Sequence, residues 1–287
     1  MKKNLMHLTL LSLLTLFLAV TVQAQPRGEN SLLWKVYHPD IPEPSYLFGT
    51  MHAIPADDFT MPEILEELIH NVEQLYLEIN MDDIDPMEVM QMMMLPDGEG
   101  LQDVMEEDAY NSLREKLEAH DIEEEMLEMF MKMKPIASYG LVFNSIFDEI
   151  VVMENELLQL ANEAGVEIRG LETIEFQFDL FDNIPVEDQV DMFFGQDLEE
   201  EFHTVTQLYL RQDLDRLYRY TIRSRWGDVG NEFLYERNHH WVEVLEDVMG
   251  ESPVLIAVGA AHLPGEKGLI NLLRASGFDL EPVSFEF

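Results

Sequence analysis

Tyr46-Leu47-Phe48-Gly49-Thr50-Met51-His52 is an apolar run that meets a glycine, with a histidine three residues further on. Such a run predicts a buried strand that ends at Gly49 and passes into a loop carrying His52. The same device recurs near the other end, where Val254-Leu255-Ile256-Ala257-Val258-Gly259 is followed by Ala260-Ala261-His262. What comes next also matches. Residues 62–69 have a helical pattern and 74–79 a strand pattern, and residues 268–274 and 278–285 repeat that order. The chain reads as two β-GxxH-α-β units, one near each end. The fold class is therefore α/β (α+β), with a mixed β-sheet built from those units.

Sites in open sheets form at the carboxyl ends of strands, where loops carry the functional groups. Gly49 and Gly259 at strand ends let backbone or ligand approach closely. If the two strands are neighbours, His52 and His262 meet at one edge, and imidazole is both a metal ligand and an acid–base group. The plainer alternative is that each histidine only hydrogen-bonds its own loop. Glu78 is an acid in an otherwise apolar strand, Leu75-Tyr76-Leu77-Glu78-Ile79, and falls at the same edge. A charge there needs a partner if buried. Glu172 follows a strand expected over 165–171, although it also suits the first turn of a helix from Ile174. Arg237 offers a planar fork for a carboxylate or a substrate carbonyl, and Asn238 beside it can donate or accept. His239 and His240 are adjacent and cannot pair on one helix face. With His70, His120 and His203 they are assigned to surface or structural roles.

Five segments then carry a resemblance. Leu47-Phe48-Gly49-Thr50-Met51-His52, Leu75-Tyr76-Leu77-Glu78-Ile79, Gly170-Leu171-Glu172-Thr173, Glu236-Arg237-Asn238 and Val258-Gly259-Ala260-Ala261-His262-Leu263-Pro264-Gly265 resemble, in order, motifs of the TraB/GumN family. That family is related to the Tiki proteins, which are metal-dependent proteases. The resemblance implies a divalent metal ion held by His52 and His262 with help from Glu78 or Glu172. The other carboxylate would be the catalytic base, and Arg237 and Asn238 would bind substrate. It also implies a periplasmic address. Bacterial members are mostly of unknown activity, so the resemblance speaks more to fold and site than to reaction.

The remaining features bound these readings. Residues 1–24 hold Lys2 and Lys3, an apolar core from Leu8 to Val22 and the close Val22-Gln23-Ala24, the pattern of a secretory signal peptide. No later stretch approaches the ~20 apolar residues of a span. Residues 25–287 then form a single domain that is exported, with no stable membrane span after signal cleavage. There is no Cys, so a metal must be held by His, Asp, Glu, Asn or backbone oxygen. The formal charge is −40, from 57 acids against 17 Lys and Arg. Such a surface repels nucleic acid and anionic membranes. A salt-adapted surface explains it most plainly, so acid runs such as Glu123-Glu124-Glu125 and Glu199-Glu200-Glu201 read as solvated helix faces.

Between the two units, residues of about 85–250 read as a large helical insertion that caps the edge carrying the histidines. Helices are expected over 86–95, 101–119, 122–133, 136–164 and 232–249, with a polar helical stretch over 174–226 that Trp226-Gly227-Asp228 breaks. Methionines crowd the first part, among them Met87, Met90, Met92, Met93, Met94, Met126, Met129, Met131 and Met133. Such a surface can bind flexible apolar partners, but helix packing is the preferred reading. No H-E-x-x-H, G-x-S-x-G or phosphate-binding loop is present, so ordinary zinc peptidases, serine hydrolases of that type and nucleotide enzymes lose support. Two classes stay open: an exported metal-dependent hydrolase, with a peptide or small-molecule substrate, and a non-catalytic periplasmic binder of metal, haem or a small ligand in the same pocket.

Overall fold

The computed structural model describes residues 30–120, 122–147, 149–221 and 227–287. The signal peptide expected over residues 1–24, and Trp226 of the expected break, lie outside the described residues. Among the described residues eight strands run in chain order: β1 (Leu33–Tyr37), β2 (Ser45–Thr50), β3 (Ile54–Pro55), β4 (Gln74–Leu77), β5 (Ile150–Val151), β6 (Glu167–Gly170), β7 (Val254–Gly259) and β8 (Asp279–Val283). Six of them form one sheet in the order β6-β4-β7-β2-β1-β8, and β3 pairs with β5 apart from it. Within the sheet only β1 runs against the others. The mixed sheet expected from the sequence is thus present, with a large helical segment between β4 and β7.

The two glycine–histidine strands are neighbours. β2 and β7 pair in parallel, with Gly49 opposite Val258 and Thr50 opposite Gly259. β7 is buried at every position, as a central parallel strand covered on both faces must be. The connections explain why a crevice opens here. From β2 the chain crosses over β7 to reach β4 through the helix Glu63–Ile69. From β7 it crosses in the opposite direction, over β2 and β1, to reach β8 through the helix Leu269–Ala275. Right-handed crossovers that run in opposite directions place their helices on opposite faces. The packing agrees: Glu63–Ile69 lies on Met153–Ala164, and Leu269–Ala275 lies on Gly227–Met249. β2 and β7 therefore send their loops to opposite faces, which is where an open sheet leaves a ligand crevice.

One core lies about the sheet and includes Leu47, Phe48, Leu75, Ile256, Trp241 and Leu269. Each fully buried side chain of this kind contributes ~1.5–3 kcal/mol. A second core lies inside the helical segment and joins Leu113, Leu127, Phe130, Phe178, Phe181 and Phe193. The stretch 174–226 is thus not simply polar, because its phenylalanines turn inward to complete that core. Nor is 136–164 one helix. It divides into Pro135–Ile146, β5 and Met153–Ala164. Glu149 adopts φ 53, and the β-branched run Ile150-Val151-Val152 favours extended chain. Likewise 101–119 divides into Leu101–Val104 and Glu107–Glu118, and the last long helix begins at Gly227 rather than Glu232.

Packing accounts for only some of the methionines. Met131 and Met133 are buried, whereas Met81, Met87, Met90, Met126 and Met129 are exposed. Among the acid runs, Glu201 departs from expectation: it is buried, because the helix Leu198–Leu210 sets it on the same inward face as Leu198, Thr206 and Tyr209. No helix among the described residues is long and apolar enough to cross a membrane.

Candidate active site

His52, Glu78, Glu172 and His262 all lie just past the carboxyl ends of sheet strands, at β2, β4, β6 and β7 respectively. Arg237 and Asn238 come from the helix Gly227–Met249. On that helix Leu234, Asn238, Trp241, Val242, Leu245 and Met249 are buried, the spacing of a core-facing stripe. The same stripe carries Phe233, Arg237 and Trp241 at i, i+4 and i+8, so their side chains line up.

Arg237 is the hub. Its side chain is 5% exposed. Nη2 donates to Glu78 Oε2 at 2.5 Å and to Glu172 Oε1 at 2.7 Å, Nε donates to Glu172 Oε1 at 2.9 Å, and Nη1 donates to His262 Nε2 at 3.2 Å. These bonds engage four of its five N–H donors. The guanidinium also lies over the rings of Phe233 and Trp241, at 5.1 and 4.7 Å. Burial works against its charge, but Glu78 and Glu172 outweigh this and raise its pKa.

Glu172 is enclosed behind Arg237, with a side-chain exposure of 0%. Besides the arginine it accepts from Gln177 Nε2 at 2.7 Å and from Trp241 Nε1 at 2.8 Å. Glu78 is nearer the open side and lines the cleft described below. Its Oε1 accepts from the Gly259 N–H at 2.7 Å. Burial opposes its ionisation, but Arg237, with His52 and the Gly259 N–H, holds the carboxyl well below the usual carboxylate range.

Both imidazoles point Nε2 at this one carboxylate. His52 Nε2 and His262 Nε2 each lie 3.9 Å from Glu78 Oε1. Their other nitrogens are fixed. Asn238 Nδ2 donates to the carbonyls of His262 and Lys267, at 3.3 and 2.9 Å, so its Oδ1 is the acceptor for His262 Nδ1–H at 2.6 Å. His262 therefore keeps a lone pair on Nε2. Burial, then Arg237, holds its pKa well below the ordinary value, so the ring is neutral. It stacks at 4.4 Å against Trp241. His52 Nδ1 donates to Glu154 Oε1 at 2.8 Å, the oxygen that also accepts from Thr50 Oγ1 at 2.6 Å. Glu154, and then Glu78, push His52 up to about 9 against the opposing pull of burial. The ring itself is 66% exposed, so water and salt screen part of that attraction.

Gly259 forms the floor between these groups. A Cβ built there would stand 3.2 Å from Glu78 Oε1, 3.4 Å from His52 Nε2 and 3.7 Å from His262 Cδ2. The missing side chain leaves the cradle into which the three groups point. Gly49 serves the strand pairing instead: its Cβ would meet the Ala260 backbone at 3.0 Å. Its carbonyl accepts from the buried Tyr209 hydroxyl at 2.8 Å.

The cradle opens into a cleft of about 510 Å³. One end is the polar cluster of His52, Glu78, Arg237 and His262, and the other is walled by Tyr139, Phe143, Phe193 and Phe202 from the helical segment. That segment does cap the edge carrying the histidines.

The structure thus brings His52, Glu78, Arg237 and His262 together at the cleft. It sets Glu172 and Asn238 behind them, where both are fully engaged in holding Arg237 and His262. Asn238, expected on the substrate side, is 1% exposed and does not face the cleft. Glu154 was missed from the sequence. It lay unremarked in a stretch read as one continuous helix, in a chain with 57 acids. Its signal was the β-branched run just before it, which ends one element and starts a helix whose first turn carries Glu154. β3 follows His52 and β5 precedes Glu154, and the pairing of those strands clamps the two side chains together.

Among the described residues no group of three or more His, Asp or Glu side chains is assembled as a metal centre. Two ligands each ~2.1 Å from one ion lie at most ~4.2 Å apart, and both His–Glu78 distances are inside that bound at 3.9 Å. Metal-binding histidines characteristically donate their second nitrogen to a carboxylate or carbonyl, as His52 does to Glu154 and His262 to Asn238. The donor types and the fixing of their second nitrogens suit a divalent ion, and for His262 to take one Arg237 Nη1, now 3.2 Å from its Nε2, has to release that lone pair.

Comparison with known proteins agrees with this architecture. The model of the TraB/PrgY/gumN family matches residues 32–282. Two curated relatives are both named Metalloprotease TIKI2. The one from Xenopus tropicalis is 38% identical over 94 residues, which is 31% of this chain and 17% of that protein. The one from Danio rerio is 23% identical over 322 residues, covering 88% of this chain and 61% of that protein. The chain thus spans less than two thirds of the length of either relative. No solved structure matches it. With its two glycine–histidine strands adjacent and both inside the matched region, the chain belongs to the TraB/PrgY/gumN family.

Proposed function

We propose that the protein is an exported metal-dependent hydrolase that cleaves peptide bonds. The observation that carries this reading is the convergence of His52 Nε2 and His262 Nε2 on Glu78 Oε1, each at 3.9 Å. His52, His262 and Glu78 would hold the ion, a two-histidine, one-carboxylate donor set. When bound, a divalent ion there supplies Lewis acidity toward a substrate carbonyl and makes water acidic enough to serve as nucleophile. The resemblance to two relatives named metalloproteases supports the same class.

The remaining residues act on these three. Glu154 and Asn238 fix the two imidazoles with Nε2 inward. Arg237 holds Glu78 in place, and its remaining N–H is the one available for a substrate carbonyl. Glu172 anchors Arg237, so in this reading it positions the site and is not the base. The aromatic end of the cleft excludes water from a bound chain.

Arg237 also supports a second reading. It already pairs with Glu78 and Glu172 and engages His262 Nε2, so these groups have hydrogen-bond partners without an ion. A non-catalytic binder of a small ligand would use the same cleft. Peptide cleavage separates the two. The hydrolase reading expects chelator-sensitive cleavage of a broad peptide library, restored by one added divalent metal. A folded, metal-loaded protein that cuts nothing in the library would favour the binder.

A further inference from the structure

A second cavity, of about 540 Å³, adjoins the cleft and is almost wholly apolar. Met81, Val89, Met90, Met93 and Phe178 line it. Ile136, Gly140, Gln177 and Phe181 line both cavities. The polar member of that shared wall, Gln177, donates to Glu172 and so connects the wall to the charged cluster.

Gly140 is the informative member. It sits inside the helix Pro135–Ile146, where glycine is a poor choice. No packing demands it, since a Cβ built there would meet no atom within 4 Å. What the glycine does is leave open space where the two cavities join. Methionine walls suit the far cavity to varied apolar side chains, because the thioether chain is flexible and polarizable. Met81 and Met90 are 58% and 61% exposed, so the groove is open along its length.

We propose that the two cavities form one continuous binding groove for an extended, apolar, non-acidic polypeptide segment, with the methionine-lined cavity as the subsite remote from the histidines. The polypeptide nature of the occupant rests on the hydrolase reading. Its apolar character rests on the lining. Its non-acidic character rests on a chain of net charge −40, which repels acidic segments.

Fluorescence anisotropy tests this with a fluorescein-labelled ten-residue peptide that alternates Leu and Phe with Gly and has Lys at each end. Its controls replace Leu and Phe by Ser, or Lys by Glu. The apolar cationic peptide should bind at least tenfold more tightly than either control. Gly140→Trp should weaken it at least tenfold by closing the junction. Met90→Glu, on an exposed side chain and so safe for folding, should weaken it similarly, and circular dichroism melting verifies that both variants fold. Peptide bound but uncut would overturn the hydrolase reading while supporting the groove. Equal affinity for the apolar and Ser peptides, or affinity indifferent to both Gly140→Trp and Met90→Glu, would overturn the groove. So would self-association of the chain that Met90→Glu abolishes in a protein that binds no peptide, which would assign the methionines to a second copy.

Discussion

The Gly259 N–H donates to Glu78 Oε1 across 2.7 Å, tying the end of β7 to the end of β4. The residue that makes this bond has no side chain, and the space it leaves is the one that His52 and His262 face. Gly259→Ala tests the cradle. Its Cβ would press on the Glu78 oxygen and on His52 Nε2. Divalent-metal affinity should fall by roughly 10–100-fold, the usual effect of disturbing the support of a ligand set, with little change in melting temperature. Gly49→Ala should do the reverse. It crowds the backbone of the turn that follows β7 and should cost ~1–3 kcal/mol of stability in urea unfolding.

Asn238 is expected to act only through His262. Asn238→Ala removes the acceptor for His262 Nδ1–H and leaves the buried His262 carbonyl and the part-buried Lys267 carbonyl without this donor, which should cost about 1–3 kcal/mol. Freed from Asn238, the ring can adopt the other tautomer and take its Nε2 lone pair away. Metal affinity, measured by calorimetric titration, should drop, while KM for peptide changes less than kcat. A KM effect alone would return Asn238 to the substrate side.

Removing Arg237 strands two carboxylates in a buried site. Arg237→Ala should destabilise the fold by about 3–5 kcal/mol, read from urea unfolding. Arg237→Lys should rescue little, because one ammonium cannot reproduce a fork that serves Glu78, Glu172 and His262 at once. Full rescue by lysine would show that charge alone, and not the fork, sets the cluster.

The frame of the fold was legible in the sequence because its signals are local. An apolar run into G-x-x-H marks β2 and β7, and the helix–strand order after each marks the crossovers. Glu78 was legible because an acid is conspicuous in an apolar strand. Glu154 was not, because its partner His52 lies 102 positions away and the chain is saturated with acids. The bonds that Glu172 and Asn238 make were not legible for a related reason. Residue type states what a side chain can bond, but which bonds it makes depends on Arg237, Trp241 and Lys267 arriving from elsewhere. The break within 136–164 was missed because helical periodicity on both sides hid a short β-branched segment.

The pairing of His52 with Glu154 and Glu78 has a pH signature in metal-free protein. Folding raises the imidazole from 6.5 to about 9. A raised pKa means that the folded state holds the proton more tightly, so this stabilisation is fully present below pH 6.5 and is lost as pH rises through about 9. The melting-temperature difference between wild type and His52→Ala should therefore be largest near pH 6 and close to zero above about pH 9. Metal must displace the same proton, so apparent metal affinity should rise with pH up to about 9 and then level off. A difference that is flat across this range would show that His52 is not paired in solution.

The most direct measurement is bound metal per chain, by mass spectrometry of the metal-reconstituted protein, taken together with peptide cleavage by the same samples. Wild type should hold about one divalent ion and cleave peptide, and a chelator should abolish both until metal is returned. His52→Ala, His262→Ala and Glu78→Gln should each lose the ion and the activity together, because each removes a donor. Glu172→Gln, which keeps the size of a side chain that is not one of the three donors, should retain the ion. Cleavage that survives chelation, or full metal occupancy in both histidine variants, would contradict a shared metal site at His52, Glu78 and His262.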